Sequence, residues 1–209
     1  MGTTMVNGAT THAGADHDEA VRSARDRILD GATDLFYAQG IRAVSADKII
    51  RRAEITKVTF YRHFPTKDDL VAAYLERQGA WERRALQSVR ESAVDDADAF
   101  RLFARAVGTE SCKPGFRGCA FINAAAEYAD PQSKVRKLVA EHRGWYRSSF
   151  AEMLENMGVA SPDEVANEVL MLRDGAMLSG YLDDPAEVGR ALDQSILAVV
   201  NARRGTPAG

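Results

Sequence analysis

Cysteine, proline and long apolar runs are scarce in this chain, and each scarcity excludes something. Two cysteines in 209 residues cannot build a disulfide framework. Cys112 and Cys119 are close enough in sequence for a short-loop disulfide, but spacing does not supply the geometry such a bond needs. A cytosolic cysteine is usually reduced, and neither has a partner at zinc-site spacing. No apolar run approaches the roughly 18 residues of a membrane span. The N-terminus lacks a charged-then-apolar signal pattern, so a cytoplasmic protein with no membrane partner is expected. Strict apolar–polar alternation is absent, which argues against strands. No phosphate loop, nucleophile elbow or metal-catalytic motif occurs, and no cofactor or metal is implied.

What is present is ordinary in amount and uneven in place. Apolar residues make up 45% and charged residues 27%, as in a typical globular domain. The net charge of −3 hides a local excess. Residues 42–67 hold seven bases (Arg42, Lys48, Arg51, Arg52, Lys57, Arg62, Lys67) against two acids, Asp47 and Glu54. The segments on either side are net acidic. One short cationic window in an acidic chain attracts phosphates while the remainder stays off them.

Periodicity predicts helices throughout. Residues 1–21 are small, polar and glycine-containing and read as a disordered tail, with His12 and His17 solvated rather than metal-binding. Ser23 and Asp26 form a capping pair before a helix whose inner face is Ile28, Ala32, Leu35 and Phe36. Gly40 is expected to end it in left-handed backbone. Ser45 caps a second helix with Ala46, Ile49, Ile50 and Ala53 inward. After a break at Glu54–Ile55, Thr56 caps a third, ended by Pro65. Thr66 caps a fourth, from Lys67 towards Ala93. Further on, Asp130-Pro131, Ser161-Pro162 and Asp184-Pro185 each read as a cap before a first-turn proline, with Glu164 and Glu187 completing capping boxes. The inner faces expected there are Val135 to Met157, Val165–Val169–Leu172–Ala176, and Val188–Leu192–Ile196–Val199–Val200.

From Ile55 to Lys67 no acid appears. Two short helices joined by a tight turn, the second cationic and hydroxyl-capped, are a helix-turn-helix pattern. Its hydroxyls, Lys57, Arg62 and His63 would face phosphates and base edges. At these residues, "ILDGATDLFYAQGIRAVSADKIIRRAEITKVTFYRHFPTKDDLVAAYL" resembles the DNA-binding region of TetR-type transcriptional regulators. The resemblance rests on the first helix ending in glycine, on Ser45, and on the run from Thr59 to Leu70. It implies an all-helical homodimer whose ligand-binding C-terminal body controls the grip on an operator. It also implies DNA-facing roles for Ser45, Thr56, Lys57, Thr59, Tyr61, His63 and Lys67, with Tyr61, His63 and Lys67 on phosphates. Glu54 and Val58 stand where the family commonly has glycine. If Glu54 needs positive φ, the strain is about 1–2 kcal/mol.

In the C-terminal half, "CKPGFRGCAFINAAAEYADP" places Asn123 and Glu127 one turn apart. The stretch is also similar to the C-terminal domain of a subset of these regulators. Cys119, Phe121, Asn123, Glu127, His142, Trp145 and Tyr146 are the candidate lining of a small-molecule pocket. The alternative for Asn123 and Glu127 is hydrogen bonding to neighbouring helices, and for His142, Trp145 and Tyr146 it is the core. The expectation is an all-α protein with a tail (1–21), a helix-turn-helix DNA-binding domain (22–66) and a ligand-binding and dimerisation domain (67–209). The last two helices are expected to meet a second copy. Its partners would be a double-stranded DNA operator, an unknown small-molecule effector and itself. The competing class is a helical small-molecule-binding module, or an enzyme using Cys119 with His142, without DNA binding.

Overall fold

Hydroxyl and carboxylate residues punctuate the computed structural model, which describes residues 23–203. The tail expected over 1–21, with His12 and His17, lies outside the described residues. Ser23 accepts a hydrogen bond from the Asp26 N–H and opens α1, Ala24–Gln39. Ser45, Thr56 and Thr66 do the same for α2 (Ala46–Ala53), α3 (Lys57–His63) and α4 (Lys67–Ser92). Each oxygen satisfies a first-turn N–H that has no partner inside its own helix. Asp95 caps α5, Asp96–Ser111. Then follow α6 (Ala120–Glu127), α7 (Lys134–Asn156), α8 (Pro162–Leu182), a 3-10 turn at Pro185–Glu187 and α9 (Val188–Arg203). The fold is all-α, with no strand among the described residues.

Several helix ends differ from the sequence expectation. Gly40 has positive φ, but with φ 87° and ψ 152° it is extended rather than left-handed helical, a region essentially restricted to glycine. Asp130-Pro131 forms a turn in which Asp130 Oδ1 accepts from Gln132 N, and Ser133 takes over as the cap of α7. Ser161 sits in left-handed backbone, φ 53°. An N-cap hydroxyl needs extended backbone to reach the first turn, so no side-chain cap forms and the box with Glu164 is absent. Asp184 caps only the 3-10 turn, and Glu187 pairs with Arg190 instead of reaching back.

The buried residues form one continuous cluster. Ile28, Ala32 and Phe36 of α1, Ile49 of α2 and Phe60 of α3 supply its N-terminal part. α4 carries it onwards through Leu70, Val71, Tyr74 and Leu75. In the body α7 packs on α8, while α9 packs on both α5 and α8. α5 and α9 approach closely at glycine: a Cβ on Gly108 would lie 2.7 Å from Gly189 Cα. The α7 face buries Val135, Val139, His142, Tyr146, Phe150, Met153 and Leu154, as its period predicts. On α8 the buried stripe is rotated from expectation. Leu170, Arg173 and Met177 turn inward, whereas Leu172 and Ala176 are only half-buried.

Candidate functional site

The cationic window folds as α2, a tight turn and α3. Glu54 ends α2 in left-handed backbone, φ 53° and ψ 50°, and three residues later the chain enters α3. Phe60 and Phe64 are buried and anchor α3 to the unit. Thr56 Oγ1 accepts from Thr59 N and lies 2.9 Å from Thr59 Oγ1. The opposite side of α3 meets solvent. Val58 is 77% and Tyr61 44% exposed, and Thr56, Lys57 and Arg62 are exposed as well. Thr59 and His63 are half-buried, as is Lys67 at the start of α4, while Ser45 is exposed at the start of α2. None of the eight residues expected to face DNA is in the core. Partial burial pulls the Lys67 ammonium below the usual lysine value, against the opposing pull of Glu127 and Asp68.

A second group of contacts ties this unit to the body. Both carboxylate oxygens of Glu127, at the end of α6, accept backbone N–H groups between α1 and α2: Oε1 from Ile41 at 2.8 Å and Oε2 from Arg42 at 2.6 Å. A Cβ on Gly40 would lie 3.2 Å from Glu127 Oε1, so the glycine leaves room for this clasp. The loop before α6 adds to it. Arg117 donates to Ala38 O at 2.6 Å and Tyr37 O at 3.3 Å. Tyr37 Oη donates to Gly118 O at 2.9 Å and accepts from Arg117 N at 2.8 Å. Asn123 Nδ2 holds the loop by donating to Arg117 O at 2.8 Å. Of the two sequence readings for Asn123 and Glu127, this geometry is the hydrogen-bonding one. Arg117 was not singled out by the sequence.

Behind the clasp is a cavity of about 890 Å³, walled by Trp81 and Leu86 of α4, Phe103 of α5, Tyr37 of α1 and Met177 of α8. Cys119 and Tyr146 line it; Phe121, Asn123, Glu127, His142 and Trp145 do not. Phe121 instead stacks on His142, with ring centroids 3.6 Å apart and planes at 6°. Cys112 is exposed and Cys119 buried, and both are free.

The inner end of the cavity is polar. Glu82 Oε2 accepts from Tyr146 Oη at 2.8 Å and Arg173 Nη2 at 3.1 Å, and lies 3.1 Å from His142 Nε2. Burial would raise the Glu82 carboxyl, but His142, Arg173 and Tyr146 outweigh it and hold its pKa below the usual range. Burial likewise opposes the charge on Arg173, but Cys119, Tyr146 and Glu82 hold its pKa well above the usual value. The two therefore form a buried ion pair. Sequence reading missed both members. The available signal was the charged pair Arg173-Asp174 inside the apolar run "VLMLRDGAML".

A short cationic helix presented by a capped partner, hydrogen-bonded to a hollow helical body, defines the class: a helix-turn-helix DNA-binding protein. Residues 28–74 match the family of bacterial regulatory proteins of the tetR type. A TetR-family transcriptional regulator from Streptomyces coelicolor, SCO4454, superposes with a TM-score of 0.83 at 38% identity, covering 87% of this chain and 96% of that one. The transcriptional regulator LmrA of Bacillus subtilis is 26% identical over 161 residues, 75% of this chain and 86% of that protein. The transcriptional repressor Rv3405c of Mycobacterium tuberculosis is 43% identical over 61 residues, 29% of this chain and 32% of its own. The chain belongs to the TetR family of helix-turn-helix transcriptional regulators.

Proposed function

We propose that the protein is a ligand-responsive repressor that binds a palindromic operator as a homodimer and works in the cytoplasm. The observation that carries this reading is the clasp, because the loop that grips α1 also forms a wall of the cavity: Tyr37 and Gly118 belong to both. A ligand that displaces this wall moves the helix-turn-helix unit with it. In this reading residues 22–66 bind DNA and residues 67–209 bind ligand and a second copy. The named relative Rv3405c, a repressor, supports the sign of regulation.

On DNA, Tyr61, His63 and Lys67 would meet phosphates, with Ser45 and Arg62 beside them. Thr56, Lys57 and Thr59 would approach base edges at the start of α3. Val58 projects apolar methyls outward, a side chain suited to the thymine methyl in the major groove. The dimer is supported by Met171, Leu178, Tyr181 and Leu182 on α8 and Leu197 on α9, all exposed. Two copies meeting through α8 and α9 would bury this apolar surface in a four-helix contact. The same reading assigns the protein no catalysis.

Selection of bound sequences from random duplex DNA tests the reading. The expected product is an inverted repeat whose half-sites lie about one helical turn apart, with a thymine preference that Val58→Ala relaxes. Recovery of no enriched sequence would overturn it.

A further inference from the structure

An effector cavity states its ligand's charge through the groups already in it. Here the charges balance. Arg173 pairs with Glu82 at 3.1 Å and with Asp174 at 3.1 Å, and Asp174 also holds Arg143. Around the cavity as a whole, Asp34, Glu82 and Glu110 match Arg105, Lys113 and Arg173, so the lining is neutral as a unit. At this buried end an added anion would sit against Glu82 and an added cation against Arg173, each uncompensated where an unpaired charge is expensive.

Yet the hydrogen bonding at that end is incomplete. The Arg173 side chain is 5% exposed, it lines the cavity, and its Nε–H has no hydrogen-bond partner among the described residues. All three contacts to Glu82 end on Oε2, and Oε1 takes part in none of them. Buried polar groups in folded proteins are nearly always paired, so Arg173 with an unmatched donor and Glu82 with Oε1 to spare together suit a group that both accepts and donates. A hydroxyl or an amide does so; a carboxylate or an ammonium offers only one. The remaining walls are mostly apolar, with Tyr74, Trp81, Phe103 and Phe116 among them, and Asp34, Arg105, Glu110 and Lys113 are their charged members. Aromatic walls favour stacked or edge-on rings.

We infer that the cavity takes an uncharged, ring-containing, mainly apolar molecule carrying one hydroxyl or amide, seated with that group between Arg173 Nε and Glu82. The inference rests on the cavity being the effector site and narrows what fills it.

Four naphthalene probes of matched shape test it by calorimetry on the full chain at neutral pH: 2-naphthalenemethanol, 2-methylnaphthalene, 2-naphthoate and 2-naphthylmethylammonium. The alcohol should bind at least tenfold more tightly than either ion and several-fold more tightly than the hydrocarbon. Equal or tighter binding of an ion, equality of alcohol and hydrocarbon, or no binding by any of the four overturns the inference. Arg173→Lys keeps the charge and removes the Nε–H, so the ratio of alcohol to hydrocarbon affinity should fall towards one, and an unchanged ratio would overturn the seat assigned to the hydroxyl. If that variant does not fold, the Ala106→Trp variant, which fills the cavity wall, takes its place. Ala106→Trp should abolish alcohol binding with the melting temperature unchanged, and unchanged alcohol binding would overturn the assignment of the site. Duplex binding is measured on the same preparations. Loss of DNA binding with the alcohol preference intact sinks the repressor reading alone, and the converse sinks this inference alone.

Discussion

Glu54 and Lys67 show how a single residue's backbone or charge carries a consequence. Glu54 occupies left-handed backbone, φ 53°, which a side chain adopts at a cost of about 1–2 kcal/mol. Glu54→Gly should therefore stabilise the protein by about 1 kcal/mol, read as a higher denaturant midpoint with an unchanged slope. A lower midpoint would mean the glutamate makes a compensating contact. Lys67 lies half-buried at the first turn of α4. If its ammonium meets a phosphate, Lys67→Ala should weaken binding to all duplexes alike and reduce the salt slope by about one unit. A slope that does not move would remove Lys67 from the backbone contacts.

At the scale of elements, α8 has two apolar sides with different purposes. Met177 is buried and faces the cavity, while Met171 and Leu178, on the other side, are 71% and 57% exposed. A test of the dimer must use the exposed side, since a charge at Met177 would disturb the core of one chain. Met171→Glu with Leu178→Glu should give a folded monomer with much weaker operator binding, measured by sedimentation and by duplex titration. A folded double variant that stays dimeric would place the interface elsewhere. α6 has a comparable division of labour. Its outer end holds the α1–α2 connection through Glu127, and its first turn borders the cavity through Ala120. Glu127→Ala should leave ligand affinity within about twofold and reduce the ligand's effect on DNA binding, an allosteric coupling typically of about 1–3 kcal/mol. By linkage, the DNA's effect on ligand affinity must shrink by the same factor.

At the scale of the whole molecule, Glu82 joins α4, α7 and α8 through Arg173, His142 and Tyr146. Its folded pKa lies below the ordinary value. Its contribution to stability is therefore fully present above the unfolded carboxylate pKa, about 4.3, and is lost as pH falls through the lower folded value. Glu82→Ala leaves Arg173 buried without its main partner. It should cost about 3–5 kcal/mol at pH 7, with the gap to the parent narrowing below about pH 4. Denaturant melts at both pH values check this, and a gap that widens in acid would show that Glu82 is not ionised in the folded state.

Local patterns in the sequence determined the all-helical architecture, most of the caps and the cationic α3, because caps, turns and one apolar face are decided by residues three or four apart. Ser45, Thr56 and Thr66 act as caps, and Glu54 adopts the left-handed turn its position required. The same logic failed where tertiary packing competed with a local signal. Asp130 and Ser161 were equally good caps on paper, but the chain entered α7 and α8 by other geometries. Only the tertiary structure decided what Glu127, Glu82 and Arg173 do. The partners of Glu127 and Glu82 are 60 to 91 residues away in sequence, and no helical period reports which helix a charged side chain will meet. The cavity follows the same rule. It is the space left between α4, α5 and α8 when their ridges pack, a property of the assembled helices that none of them carries alone.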